Sequence, residues 1–110
     1  MQRFDQAEEV IIDSGLLRVR RAGKHVQLTV TEFKLLRALT DNAGRALPRD
    51  QLLDAIDPTM KREVYYRAVD SNIKRLRCKL KPIGLAGCVK TLRGVGYYWE
   101  TSSCTIPATG

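Results

Sequence analysis

Arg67, Ser71 and Lys74 are separated by four and three residues, so on a helix they share one line of side chains. Arg and Lys are pure donors and Ser can donate and accept, which suits guanine O6 and N7 or phosphate oxygens. Asn72 offers both kinds of group as well, Asp70 and Arg75 flank the line, and Cys78 continues it. A second candidate is Arg93, next to Gly94-Val95-Gly96, with Thr91 and Tyr97 on either side. An arginine at a narrow hairpin tip can enter a minor groove of enhanced negative potential, and Thr or Tyr hydroxyls can hold phosphates. The plainer reading of both features is a solvated helix beside an ordinary closing hairpin.

Catalytic chemistry has less to build on. His25 stands without a Cys or Asp constellation, and neither a nucleophile with its base nor paired carboxylates can be assembled, so an enzyme is not expected. Gly94-Val95-Gly96 lacks the following helix and lysine of a nucleotide loop and reads as a tight hairpin turn. Cys78, Cys88 and Cys104 are odd in number and lack the paired short spacings of zinc ligands, so reduced thiols and no cofactor or metal are expected. For Cys78, a small residue tolerated near phosphates is preferred over a redox switch.

The elements that must carry these residues follow from periodicity. Val10 to Ile12, Leu16 to Arg20 and His25 to Leu28 are short β-prone runs separated by Asp13-Ser14-Gly15 and Ala22-Gly23-Lys24, the pattern of an antiparallel meander. Thr29 and Glu32 have capping-box spacing, and Phe33, Leu36 and Leu39 continue an apolar stripe until Asn42-Ala43-Gly44. A shorter helix is predicted from Pro48 or Arg49 to Ile56, followed by an exposed loop from Asp57 to Glu63. The clearest helix runs from about Tyr65 to Lys81, with Val69, Ile73, Leu76 and Leu80 on one narrow stripe. Arg67, Ser71, Lys74 and Cys78 lie opposite that stripe. Cys88 to Leu92 and Tyr97 to Glu100 form a hairpin in which at least one of Tyr98 and Trp99 packs inward.

Length and charge bound the rest. The chain has 110 residues, 44% of them hydrophobic, which allows one domain with a modest core. Residues 1–9 read as a linker, 10–100 as the domain and 101–110 as a flexible tail. The formal charge is +7 with a pI near 9.7, a balance that favours a polyanionic partner. Beyond Tyr65, Arg67, Lys74, Arg75, Arg77, Lys79, Lys81, Lys90 and Arg93 face only Asp70 and Glu100, so positive charge is concentrated in the last helix and its neighbour. No stretch approaches the roughly 20 apolar residues of a membrane span, and a soluble cytoplasmic chain is expected. The basic helix lacks exposed aromatic residues for stacking on single-stranded RNA, which favours a DNA duplex.

Four segments in the same order resemble the OmpR/PhoB-type winged-helix domain of bacterial response regulators. They are Leu28-Thr29-Val30-Thr31-Glu32-Phe33-Lys34-Leu35-Leu36; Asn42-Ala43-Gly44-Arg45 with Arg49-Asp50-Gln51-Leu52-Leu53; Arg67-Ala68-Val69-Asp70-Ser71-Asn72-Ile73-Lys74-Arg75-Leu76-Arg77; and Thr91-Leu92-Arg93-Gly94-Val95-Gly96-Tyr97. The resemblance implies an α+β winged helix-turn-helix with a four-stranded N-terminal sheet, three helices and a C-terminal hairpin wing. It implies base or phosphate contacts at Arg67, Asp70, Ser71, Lys74, Arg75 and Arg77, wing contacts at Thr91, Arg93 and Tyr97, and a phosphate contact at Arg49. The implied partners are double-stranded DNA bound by two copies on tandem half-sites, RNA polymerase at the loop 57–64, and an upstream receiver domain. Ala68 stands where many relatives carry a Thr that touches the DNA backbone, and Ile56-Asp57-Pro58 lacks the Trp that often precedes the loop. An interaction module that uses loop 57–64 for a protein partner is the alternative of a different class.

Overall fold

The computed structural model describes residues 10–59, 62–101 and 108–109. The chain opens with β1 (Val10–Asp13), β2 (Arg18–Arg21) and β3 (Lys24–Gln27), an antiparallel meander in which Val19 pairs with both Ile12 and Val26. Alternation puts Val10, Ile12 and Val19 on the core and Arg20 and His25 outside. Ala22 and Gly23 both take positive φ, 53° and 80°, the pairing that a two-residue turn needs to follow the twist of its strands.

Helix α1 (Val30–Asp41) begins as its sequence predicts. The Thr29 side chain accepts from the Glu32 amide at 3.2 Å and the Glu32 carboxylate accepts from the Thr29 amide at 2.9 Å, a complete capping box. Helix α2 (Arg49–Ile56) buries Leu52, Leu53 and Ile56. Helix α3 (Arg62–Leu80) starts about one turn earlier than the periodicity indicates, so Arg62 to Val64 are helical and the expected loop 57–64 is shorter. Tyr66 extends the apolar stripe one turn ahead of Val69, but Arg62 and Glu63 carry no apolar signal, so periodicity could not mark the true start. Met60 and Lys61 lie outside the described residues. In the turn, the Asp57 carboxylate accepts from the amide and hydroxyl of Thr59 at 3.0 and 2.7 Å.

After α3, two short 3₁₀ turns (Lys81–Ile83 and Ala86–Cys88) lead into β5 (Val89–Leu92) and β6 (Gly96–Trp99). A two-residue strand β4 (Leu47–Pro48) between α1 and α2, not anticipated from the sequence, pairs with β6 and gives a sheet of order β4-β6-β5. Too short to show alternation, β4 exists because β6 offers its edge. Among the described residues the N-terminal segment supplies three strands of its sheet, and the fourth member is instead β7 (Ala108–Thr109), from the other end of the chain and parallel to β1. The expected flexible tail therefore returns to the sheet at this point. Residues 1–9, read as a linker, lie outside the described residues.

One core joins these layers. Leu35, Leu39, Leu52, Leu53, Val69, Ile73, Leu76, Leu80 and Trp99 have no exposed surface, so all three helices and the hairpin share it. Arg21 Nη1 donates to the Ile83 carbonyl at 2.8 Å and ties the first sheet to the turn after α3. Cys88 is in a disulfide, which corrects the expectation of reduced thiols at that position, whereas Cys78 is free and exposed. Spacing along a chain does not reveal which thiols the fold brings within bridging distance.

Gly96 sits where two backbones nearly touch: a Cβ placed there would lie 1.9 Å from the Leu47 carbonyl oxygen. Gly96→Ala is expected to separate β4 from β6 and lower stability by about 3 kcal/mol or more, in the range of strained and overpacked sites. Urea denaturation monitored by Trp99 fluorescence measures the loss.

Candidate nucleic-acid interface

The surface is built on α3. Its 19 residues extend about 28 Å at 1.5 Å per residue, ample to cross the roughly 12 Å width of a major groove. Because Val69, Ile73, Leu76 and Leu80 are fully buried, the side chains half a turn away face solvent, and Arg67, Ser71, Lys74, Arg75 and Cys78 are all exposed. Among the described residues, Arg67, Lys74 and Arg75 have no hydrogen-bonded or ion-paired partner, which leaves their donors available. Asn72 differs: its side-chain amide donates to the Ala68 carbonyl one turn back at 2.8 Å.

The other candidates on this surface are engaged with one another. Arg49 Nε and Nη2 donate to the two oxygens of Asp70 at 3.0 and 2.9 Å, a two-point ion pair between α2 and α3. The Tyr97 hydroxyl of β6 donates to the same Asp70 Oδ1 at 2.6 Å. Burial, and then the bond to Asp70, push the Tyr97 phenol above its ordinary value and keep it a donor. Arg77 turns towards the hairpin, donating to the Val89 carbonyl at 2.9 Å and the Thr91 hydroxyl at 2.8 Å, with its guanidinium 5.6 Å from the Tyr97 ring centre. Arg49, Asp70, Arg77, Thr91 and Tyr97 thus form one network joining α2, α3 and the hairpin. Arg93 stands apart from it.

The hairpin tip is a four-residue turn in which the Val95 amide donates to the Leu92 carbonyl at 2.9 Å. Gly94 occupies its third position at φ 82°, the left-handed conformation that favours glycine there. Arg93 is exposed at the outermost corner, flanked by Leu92 and Val95, whose apolar side chains are also exposed. Behind the turn, Arg49, Thr91, Gly94 and Tyr97 line a small hollow of about 140 Å³.

A second polar tie was not anticipated from the sequence. Lys79 Nζ of α3 approaches Glu32 Oε1 of α1 to 2.9 Å, and Glu32 is almost wholly buried. Spacing marked Glu32 as a cap but could not show that the same oxygen, Oε1, which accepts from the Thr29 amide also meets a neighbouring helix. Burial alone would raise the Glu32 carboxyl; the hydrogen bond and charge of Lys79, with the bonds from Thr29, outweigh it and hold the group below its ordinary value of 4.5.

These features define the protein class: a winged helix-turn-helix domain with a cationic helix face and an arginine-tipped wing. The chain belongs to the family described as "Transcriptional regulatory protein, C terminal", which it matches over residues 23–99. It is 36% identical over 107 residues to the transcriptional regulatory protein BaeR of Escherichia coli O6:H1, covering 96% of this chain and 44% of the relative. It is 40% identical over 88 residues to the response regulator ArlR of Staphylococcus saprophyticus, covering 80% of this chain and 40% of the relative. The chain thus spans less than half the length of these relatives. In structure it is similar to the DNA-binding domain of the response regulator AdeR in complex with an intercistronic region, with a TM-score of 0.72 and 28% identity, covering 86% of this chain and 96% of that one. It is also similar to the Klebsiella pneumoniae RstA DNA-binding domain in complex with an RstA box, with a TM-score of 0.68 and 33% identity over 81% of this chain and 88% of that one.

Glu32→Gln removes the charge but keeps a cap, and is expected to cost about 1 to 2 kcal/mol at pH 7. A lowered carboxyl stabilises the fold above pH 4.5, and that contribution is lost as pH falls through the folded-state value. The difference between wild type and variant should therefore shrink between pH 7 and pH 3. Urea midpoints at both pH values measure it.

Proposed function

We propose that this chain is the sequence-specific output domain of a bacterial response regulator, binding double-stranded DNA with α3 in the major groove and the β5–β6 wing in the adjacent minor groove. The observation that carries the reading is the row Arg67, Ser71, Lys74 and Arg75, held outward by a fully buried stripe on the same helix. A helix fits the groove, and these side chains carry the donors that base edges and phosphates accept. Arg93, exposed on its turn, is the wing's contact. The DNA-bound AdeR and RstA domains, similar in fold and sequence, support the same assignment.

The domain acts by binding, in the cytoplasm, with two copies on tandem half-sites and an upstream receiver domain controlling their approach. No helix among the described residues is long and apolar enough to cross a membrane, in keeping with this reading. Segment 57–64, which opens with the turn at Asp57–Thr59, is the part of the chain for RNA polymerase. The exposed cationic face of α3 favours DNA over a purely protein-binding role.

Arg67→Ala is expected to weaken binding to the preferred duplex by about 1 to 3 kcal/mol and to relax preference at one base position, the loss typical of a two-point guanine contact. Selection from a random duplex pool, followed by titration of the selected sequence and of random DNA, makes the test; equal losses on both would reject base reading by Arg67. Arg93→Ala should lower affinity more evenly across sequences and flatten the salt dependence by about one phosphate contact. A footprint unchanged in extent and affinity would reject the wing contact.

A further inference from the structure

Asp70 is out of place on a surface meant for a polyanion. It belongs to the outward half of α3, where a carboxylate meets repulsion from phosphates, and its base partner would be a cytosine amino group. Yet three donors from two other elements occupy it: Arg49 Nε and Nη2 at the first residue of α2, and the Tyr97 hydroxyl of β6. Oδ1 accepts two of these bonds and Oδ2 the third, so most of the carboxylate's acceptor capacity is already committed within the protein.

Stability is a weak reason for such a cluster. The Arg49 and Asp70 side chains are 49% and 36% exposed, and a pair so open to water contributes little to folding. What it does supply is orientation. A guanidinium fork on a carboxylate allows few relative angles, and the third bond fixes where β6 lies against α3. Arg77 adds a parallel attachment one strand away, to Val89 and Thr91 of β5.

We propose that Asp70 is a positioning residue for DNA recognition: it touches no base, and by holding Arg49 and the Tyr97 hydroxyl it sets the angle between the reading helix and the wing so that both meet the duplex together. The inference rests on the DNA-binding reading above. In it, Arg49 presents its remaining donors towards a phosphate only because Asp70 fixes the guanidinium, and Arg93 reaches its groove only while α3 occupies its own.

The test compares wild type with Asp70→Asn and with Tyr97→Phe, which keeps the buried ring and removes only the hydroxyl. Urea midpoints establish that both variants fold. Bound sequences are selected from a random duplex pool for each protein, and the duplex selected by wild type is then titrated with each, alone and combined with Arg93→Ala. Positioning predicts unchanged base preference at every position, an affinity for the selected duplex lowered about tenfold in Asp70→Asn and several-fold in Tyr97→Phe, and a further loss from Arg93→Ala that shrinks to under twofold in the Asp70→Asn background. Altered preference at one base pair in Asp70→Asn, with Tyr97→Phe binding like wild type, would make Asp70 a base reader and overturn the proposal. Wild-type affinity in both variants would overturn it as well. A wild-type chain that selects no sequence would overturn the DNA-binding reading itself, an outcome visible before any variant is compared.

Discussion

A helix can present one face to a partner only if the other is committed, and in this domain the commitment is the burial of Val69, Ile73, Leu76 and Leu80. All four are removed from solvent, on a helix packed against α1, α2 and the two 3₁₀ turns that follow it. At about 2 kcal/mol for each fully buried aliphatic side chain, the stripe outweighs any single polar contact on the surface. Rotation of α3 by one residue would carry this stripe about 100° out of the core, so the outward direction of Arg67, Ser71 and Lys74 is a consequence of packing. The charged residues did not choose their face; the apolar ones chose it for them.

The hairpin is held by a different balance. Trp99 is wholly buried and Gly96 allows β4 to approach as only a glycine could, so the base of the wing is part of the core. Its tip carries exposed Leu92 in the last strand pair and exposed Arg93 and Val95 beyond it. Between base and tip, polar bonds replace burial: Asp70 receives Tyr97 and Arg49, and Arg77 reaches across to Val89 and Thr91. The Arg49–Asp70 pair, open to water, adds little stability, but polar bonds of this kind are directional, which suits the task of aligning two contact elements.

Much of this was legible without the fold. The capping box at Thr29 and Glu32, the stripe of α3, the exposure of its opposite face and the tight turn at Gly94 each depend on residues close in the chain, where local geometry decides. Elements defined by a distant partner were not legible. The strand β4 is two residues long and exists through Leu47 and Pro48 pairing with Tyr97 and Gly96; β7 returns to β1 from the far end of the chain. The start of α3 also lies earlier than its stripe indicates, because Arg62 and Glu63 carry no apolar periodic signal.

The candidate residues divide in the same way. Sequence by itself determined that Arg67, Ser71, Lys74 and Arg75 would share an exposed cationic face and that Arg93 would stand at a hairpin tip, since helical period and turn chemistry act over a few residues. Only the tertiary structure decided that Arg49, Asp70, Arg77, Thr91 and Tyr97, named from motifs as separate contacts, belong to one network, and that Glu32 meets Lys79 across two helices. Residue type states what a side chain can bond to. Which bond it makes depends on what the shared core brings within about 3 Å, and that distance is a property of the packed chain.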